Sequence, residues 1–344
     1  MKAQLDRFRR RYGVAAVGAA IVDLDHPPDT TIVADVVGHV RRGDHEPVHV
    51  ADAWHIGSCA KALTAALYAR LVEQGRAEWS VPLPELFDDL GGSSHAGWST
   101  VTIDDLFTCR GGVPPNPTPR EMHAAYTDSR ASIDQRTSAA AAVFARPPTN
   151  PGQFLYSNLG YTIAGAAIDR ITGRPFETIL FDELLEPLGV TTAGFGPPPR
   201  VWGHRARAGV RGLLVGRGPA QDPGDVHSDN PALITPAGRL HLALADWARV
   251  QRLFLDGAGL LGPSSLDHLV ELPADGRGMA MGWADASRVA GFALGMQGSN
   301  TAWSASALMS DDRRRIVHVV ANDGRTRVLQ ATARLAAAVT TSPA

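Results

Sequence analysis

The chain has 344 residues, 44% of them apolar and 20% charged, with a formal net charge of −2. That balance fits a globular protein with a sizeable core and removes the electrostatic case for nucleic acid or an anionic membrane as the main partner. No apolar run reaches the ~18 residues of a membrane span, and the two cysteines, Cys59 and Cys109, make neither a disulfide framework nor a zinc set.

In chain order, "RFRRRYGVAAVGAAIVDLD" joins a basic segment to an apolar run. A cleaved signal peptide has that outline. The Val/Ile content and the Asp-Leu-Asp ending read better as a buried first strand after a basic helix, with the cytoplasm as the expected location. Residues 13–41 alternate strand-like runs with turn residues and predict a hairpin. A helix starts near Ser58, with Ala60, Leu63, Leu67 and Leu71 at helical spacing and Gly75 as its stop. Residues 76–157 are rich in Pro, Gly and Ser, and "GGVPPNPTPR" reads as loop.

A second helix is predicted for "LGYTIAGAAIDRITG", ended by Gly173. Residues 196–231 predict a long irregular excursion. "GRLHLALADWARVQRLFLDG" predicts helix, with Leu240, Leu244, Trp247 and Phe254 on one side. From residue 278, "GMAMGWAD", "GFALGMQG", "AWSASALMS" and "RRIVHVVAN" predict strands, with Asp311-Asp312 turning between the last two and a final helix at about 325–339. Strands at both ends and helices between them predict an α+β fold. An antiparallel sheet is built from both chain ends and flanked by helices, with a mainly helical region inserted. The expected division is a discontinuous sheet domain, residues 1–57 and 232–344, and a helical domain, residues 58–231, with the active site in the cleft between them.

The charges hold a chemical clue. Lys and Arg together number 33, yet only Lys2 and Lys61 are lysine. Lys61 stands three residues after Ser58, so at a helix start the two side chains share a face. A serine hydroxyl is a poor nucleophile until a base takes its proton. A lysine can be that base if its pKa falls from about 10.4 to near 7, a shift worth roughly 4–5 kcal/mol. Arginine stays protonated and cannot serve. Against this stands a lysine that merely packs at a helix start, since Ser-x-x-Lys alone is a weak pattern. "NPGQFLYSNLGY" adds Tyr156 and Asn158 just before a helix. Next to a positive lysine, a tyrosine ionises more easily and can act as a base, and an asparagine amide can bond both lysine and substrate. The competing reading is a buried tyrosine and a capping asparagine.

"WHIGSCAKALTAALYARLVEQGR", "VTIDDLFTCRGGVP", "NPGQFLYSNLGYTIAGAAIDRITGRPFETIL" and "MQGSNTAW" occur in this order. Together they resemble the serine β-lactamase and penicillin-binding-protein superfamily, nearest its class C-like branch, which includes esterases and transacylases. The likeness runs from about residue 10 to residue 324, and the related motif set is known for class A enzymes. It implies that Ser58 is the acylated nucleophile and that Lys61 and Tyr156 share proton transfer. It implies further that Asn158 orients Lys61 and substrate, and that the backbone N–H groups of Ser58 and Ser299 form an oxyanion hole. Met296, Gln297, Gly298 and Ser299 would border the substrate.

The third motif departs from the family. Met296 stands where Lys or His is usual, so the cation that supports a substrate carboxylate and a tyrosinate is missing. Cys109 and Gly111 stand where relatives often carry His and Ser. The expected function is a serine acyl hydrolase for a small or medium, neutral ester or amide, with no cofactor and no metal. An acyltransferase passing the acyl group to an amine or alcohol is the alternative, and a catalytically silent binding protein is the alternative from another class. The expected partner is a small-molecule acyl substrate, with neither nucleic acid nor membrane. "HEPVH" at His45–His49 matches a zinc motif that works only on a helix, and Gly43 and Pro47 argue against one. His55 lies close to Ser58 in sequence and is a candidate backup base, against the stronger expectation of a loop or strand-end histidine.

Overall fold

A six-stranded antiparallel sheet draws its strands from the two ends of the chain. The computed structural model describes residues 1–27, 31–208 and 214–340. In chain order the strands are β1 (Ala16–Asp23), β2 (Ile32–Gly38), β3 (Ala53–His55), β4 (Gly194–Phe195), β5 (His204–Ala208), β6 (Leu214–Ala220), β7 (Leu240–Ala243), β8 (Ala284–Asp285), β9 (Phe292–Ser299), β10 (Ser304–Ser310) and β11 (Arg315–Ala321). The large sheet has the order β2-β1-β11-β10-β9-β8. The N-terminal apolar run is thus a core strand, paired with β11 in the register Ala20 to His318. The hairpin expected over 13–41 is β1–β2, and its tip falls partly on residues 28–30, outside the described residues.

Both faces of this sheet are covered, which is why β1 and β11 read as continuous apolar runs rather than alternating ones. On one face Val17, Ala19, Val317 and Val319 pack with Leu5 and Phe8 of the helix Lys2–Tyr12 and with Val328, Ala331 and Ala336 of the helix Thr326–Thr340. On the other, Ala20, Val22, Ile316, Ala307 and Met296 join the main core with Trp54, Trp247 and the helix Ala60–Glu73. That helix is buried on every side from Ala60 to Ala69. Its single apolar stripe in the sequence reading understated this, because the alanines between the leucines are also core.

Three segments differ from expectation. Residues 240–243 form β7 in a small sheet of order β3-β7-β4, and the helix starts only at Leu244. Leu240 matches the helical spacing of Leu244 but belongs to the strand. The 196–231 excursion contains the antiparallel hairpin β5–β6, with residues 209–213 outside the described residues. Of "GMAMGWAD" only Ala284–Asp285 is strand. His45 and His49 lie in non-helical chain, the wrong geometry for the zinc motif. Among the described residues no helix is long and apolar enough to cross a membrane.

The helix Asn158–Thr172 begins with a capping side chain, but it is Ser157. Its Oγ accepts from the Gly160 amide at 2.8 Å and donates to the Pro114 carbonyl at 2.7 Å. Capping by Ser157 leaves the Asn158 side chain available for other partners. Ser157→Ala is expected to cost about 1–2 kcal/mol of stability, measured by urea unfolding. A midpoint equal to the wild type's would contradict this role.

Candidate active site

Ser58 sits in the 3-10 turn Gly57–Cys59 that feeds the buried helix. Lys61, one turn on, is 1% exposed. Its Nζ lies 3.2 Å from Ser58 Oγ, 2.7 Å from Asn158 Oδ1 and 2.6 Å from the Ala237 carbonyl. The Asn158 amide is oriented by its own Nδ2, which donates to Asn116 Oδ1 at 2.7 Å. Asn158 Oδ1 and the Ala237 oxygen can only accept, so they take two N–H bonds of the amine. In the neutral amine this leaves the lone pair for Ser58.

Desolvation lowers the Lys61 pKa from 10.5 to about 7. The groups that favour its charge, Cys109 and Cys59, are thiols, and burial raises both of them. The rings of Tyr156 and Tyr161 lie 4.9 and 5.4 Å from Nζ. Such faces attract a cation weakly and leave desolvation dominant. Cys59 and Cys109 are free thiols.

Tyr156 lines the same cavity as Ser58 and Lys61; desolvation raises its phenol above the ordinary value, and its hydrogen bond with Ser58 works the other way. Desolvation thus opposes the ionisation that a neighbouring positive lysine would favour. The segment before it is fixed by Leu155 N–H to the Cys109 carbonyl, 2.9 Å, and Gly152 N–H to the Arg110 carbonyl, 2.7 Å. Cys109 itself has a left-handed backbone, φ 57°.

The fourth part is β9, whose end runs against the Ser58 turn. A Cβ on Gly298 would lie 2.0 Å from the Ile56 oxygen and 2.8 Å from the Ser58 amide nitrogen. One on Gly57 would lie 2.5 Å from the Ser299 amide nitrogen. Only glycines permit this approach, and Gly57 also has φ +54°. Ser299 Oγ donates to the Trp303 carbonyl and accepts from the Thr301 amide. Met296 is buried, its Sδ 3.9 Å from Gln251 Nε2. Gln297 is tied by Nε2 to the Leu329 carbonyl at 3.1 Å, on the terminal helix.

Two cavities meet at Ser58. One of about 540 Å³ is lined by Ser58, Lys61 and Tyr156 together with Phe154, Met279 and Met296. Its charged members, Asp285 and Arg288, are exposed. The other, about 250 Å³, is polar and is lined by Asn116, Tyr126, Asn158, Arg205 and Asn300. A third cavity of about 340 Å³, between the helices Pro119–Ala125 and Ser132–Phe144, contains none of Ser58, Lys61 and Tyr156.

The structure thus brings together Ser58, Lys61, Tyr156, Asn158 and the Gly298–Ser299 backbone. Sequence reasoning missed Asn116 and the Ala237 carbonyl. His55, expected as a loop or strand-end histidine with a backup base as the alternative, is buried at the end of β3 and faces Asp229 at 2.9 Å. No local pattern marks these three: each acts through a long-range contact or a backbone atom.

The family model described as Beta-lactamase matches residues 6–341. Penicillin-binding protein 4 of Amycolatopsis lactamdurans is 25% identical over 224 residues, which is 64% of this chain and 55% of that protein. The curated relatives matched are longer, and this chain spans between 34% and 55% of three of them. The D-amino acid amidase of Ochrobactrum anthropi SV3 superposes with a TM-score of 0.77 at 18% identity, covering 98% of this chain and 96% of that one. A class C beta lactamase from Rhodobacter sphaeroides superposes with a TM-score of 0.74 at 16% identity, covering 98% of each chain. These superpositions establish a shared fold.

Asn158→Asp puts a carboxylate against the amine and favours its charged form. The Lys61 midpoint is expected to move up from about 7. With only two lysines in the chain, NMR titration of labelled lysine side chains resolves it. A midpoint that stays put or falls would contradict the desolvation account.

Proposed function

The chain belongs to the beta-lactamase family of serine hydrolases and acyl-transferring enzymes, and on that premise we propose a serine acyl hydrolase working through an acyl-enzyme on Ser58. The observation that carries this reading is a buried lysine amine 3.2 Å from a serine hydroxyl, with two further oxygens at 2.7 and 2.6 Å to hold its N–H bonds.

In this reading Lys61 takes the Ser58 proton as Oγ attacks the carbonyl carbon. Negative charge moves to the carbonyl oxygen, which the Ser58 and Ser299 amides receive. One such donor is worth about 3–4 kcal/mol of barrier. The Lys61 ammonium then returns its proton, with Tyr156 as relay, to the departing alcohol or amine. The acyl-enzyme is released by water, activated by the same pair. Asn158 and the Ala237 carbonyl hold the amine in place throughout, and the steps need no cofactor.

The larger cavity supports a neutral, apolar acyl group, because Met296 and Met279 stand at its wall and its charges lie at the exposed rim. The substrate class is therefore a small or medium ester or amide, with the cytoplasm as the proposed site of action. The separate polar cavity on the other side of Ser58 supports a second reading, transfer of the acyl group to an amine or alcohol. Competition between water and added amine for the acyl group separates the two.

Intact-protein mass spectrometry after incubation with p-nitrophenyl esters and a fluorescent penicillin is expected to show an adduct that Ser58→Ala lacks. Absence of any adduct or turnover would favour a silent binding protein. Lys61→Arg keeps a long basic side chain but one that cannot be discharged, and so removes the base. It is expected to slow acylation by about 10²–10⁴-fold, and an unimpaired rate would sink the role given to Lys61.

A further inference from the structure

The two backbone segments that flank the Ser58 hydroxyl are joined by a buried polar network centred on Asp229. His55, at the end of β3, is 1% exposed and Asp229 is 4% exposed. His55 Nδ1 accepts from the Gly57 amide at 3.0 Å. That fixes the ring proton on Nε2, which donates to Asp229 Oδ2 at 2.9 Å. Asp229 Oδ1 accepts from Asn300 Nδ2 at 2.7 Å. Asn300 Oδ1 in turn accepts from the amides of Ala302 and Trp303, at 3.2 and 3.3 Å. Trp303 closes the ring from the other side by stacking on His55, centroids 5.4 Å apart at 22°.

One carboxylate therefore grips the turn before Ser58 through His55 and the turn after Ser299 through Asn300. Burial pushes its pKa up, but His55, Arg239 and Asn300 outweigh that and hold it below the ordinary value, so it remains an acceptor at both oxygens. Where Gly57 and Gly298 abut the opposite amides, no side chain intervenes to set the gap. The gap is set from its shoulders.

We propose that Asp229 is a positioning residue which, through His55 and Asn300, fixes the spacing of the Ser58 and Ser299 amides as an oxyanion hole; the inference rests on the acyl-transfer reading. The donor and acceptor pattern makes it testable. An amide at 229 has one acceptor and one donor end, so its NH₂ must face either His55 Nε2–H or Asn300 Nδ2–H. Turning Asn300 over moves the clash onto the Ala302 and Trp303 amides. Moving the His55 proton to Nδ1 puts it against the Gly57 N–H. The mismatch must surface in one of the two segments. The exchange Asp229→Asn with Asn300→Asp restores each of these hydrogen bonds: the amide at 229 donates to the carboxylate at 300 and accepts from His55, while the carboxylate still accepts from 302 and 303; only the 3.8 Å ion pair of residue 229 with Arg239 is lost, equally in Asp229→Asn and in the exchange.

The experiment compares Asp229→Asn, Asn300→Asp and the double exchange with the wild type. Readouts are kcat and KM for Ser58 acylation, thermal unfolding, and the amide resonances of Ser58 and Ser299. Asp229→Asn is expected to lower kcat by about 10²–10³-fold, the scale of a lost oxyanion donor, with little change in KM. Both amide resonances are expected to shift, and the exchange to recover both rate and resonances. Wild-type rates in Asp229→Asn, or a folded exchange as slow as either single variant, would overturn the proposal. If Asp229→Asn does not fold, Asn300→Asp against the exchange makes the same comparison. Should the wild type form no acyl adduct at all, the acyl-transfer reading fails separately, and unmoved Ser58 and Ser299 resonances would then overturn the positioning role.

Discussion

A lysine amine buried without a carboxylate to balance it is the constraint on which the site depends. Lowering Lys61 from 10.5 to about 7 corresponds to about 5 kcal/mol of lost preference for the charged form. An ordinary core would exclude such a residue. Here the amine is kept because three oxygens surround it: two can only accept and take its N–H bonds, so the third, the Ser58 hydroxyl, is left to donate to the lone pair of the neutral amine. Arginine could not be discharged in this place, which accounts for a lysine in a chain that otherwise writes its positive charges as arginine. Cys109 fits the same logic. Burial raises its thiol, so the sulfur beside Lys61 stays neutral and does not hold the amine in its charged form.

The fold meets this constraint by converging parts remote in sequence. The helix Ala60–Glu73, buried all round as far as Ala69, carries Lys61 into the interior, and the turn Gly57–Cys59 that feeds it carries Ser58. The helix Asn158–Thr172, capped by Ser157, presents Asn158 to the amine. The chain near Ala237 supplies a carbonyl, and β9 supplies a backbone edge at glycine distance. None of these parts holds the site alone. Their relative placement rests on the core and on polar ties such as the one through Asp229.

The Ser58–Lys61 pair was legible from helix spacing and a scarce residue, whereas the joining of Tyr156 and Asn158 to it followed from the ordered motifs of the family resemblance and not from spacing. The sheet was legible at β1, β2, β10 and β11, where long apolar runs are bounded by turns. It was not legible at β7, since Leu240 and Leu244 share helical spacing and only pairing with β3 decides the strand. The hairpin β5–β6 hid among glycines and prolines. Residue identity alone does not show the environment of Tyr156, because the desolvation that raises its phenol is encoded by no motif. Asn116, the Ala237 carbonyl and the His55–Asp229 pair left no local trace, being contacts between segments 42 to 176 residues apart.

The central claim is that a neutral Lys61 removes the Ser58 proton. The most direct test is the rate of Ser58 acylation as a function of pH in rapid-mixing experiments with an activated ester. Below the Lys61 pKa the ammonium cannot accept a proton, so the rate is predicted to rise with pH through a single ionisation near 7 and then level off. A rate that is flat across that range, or that rises only where a phenol ionises, would contradict the account.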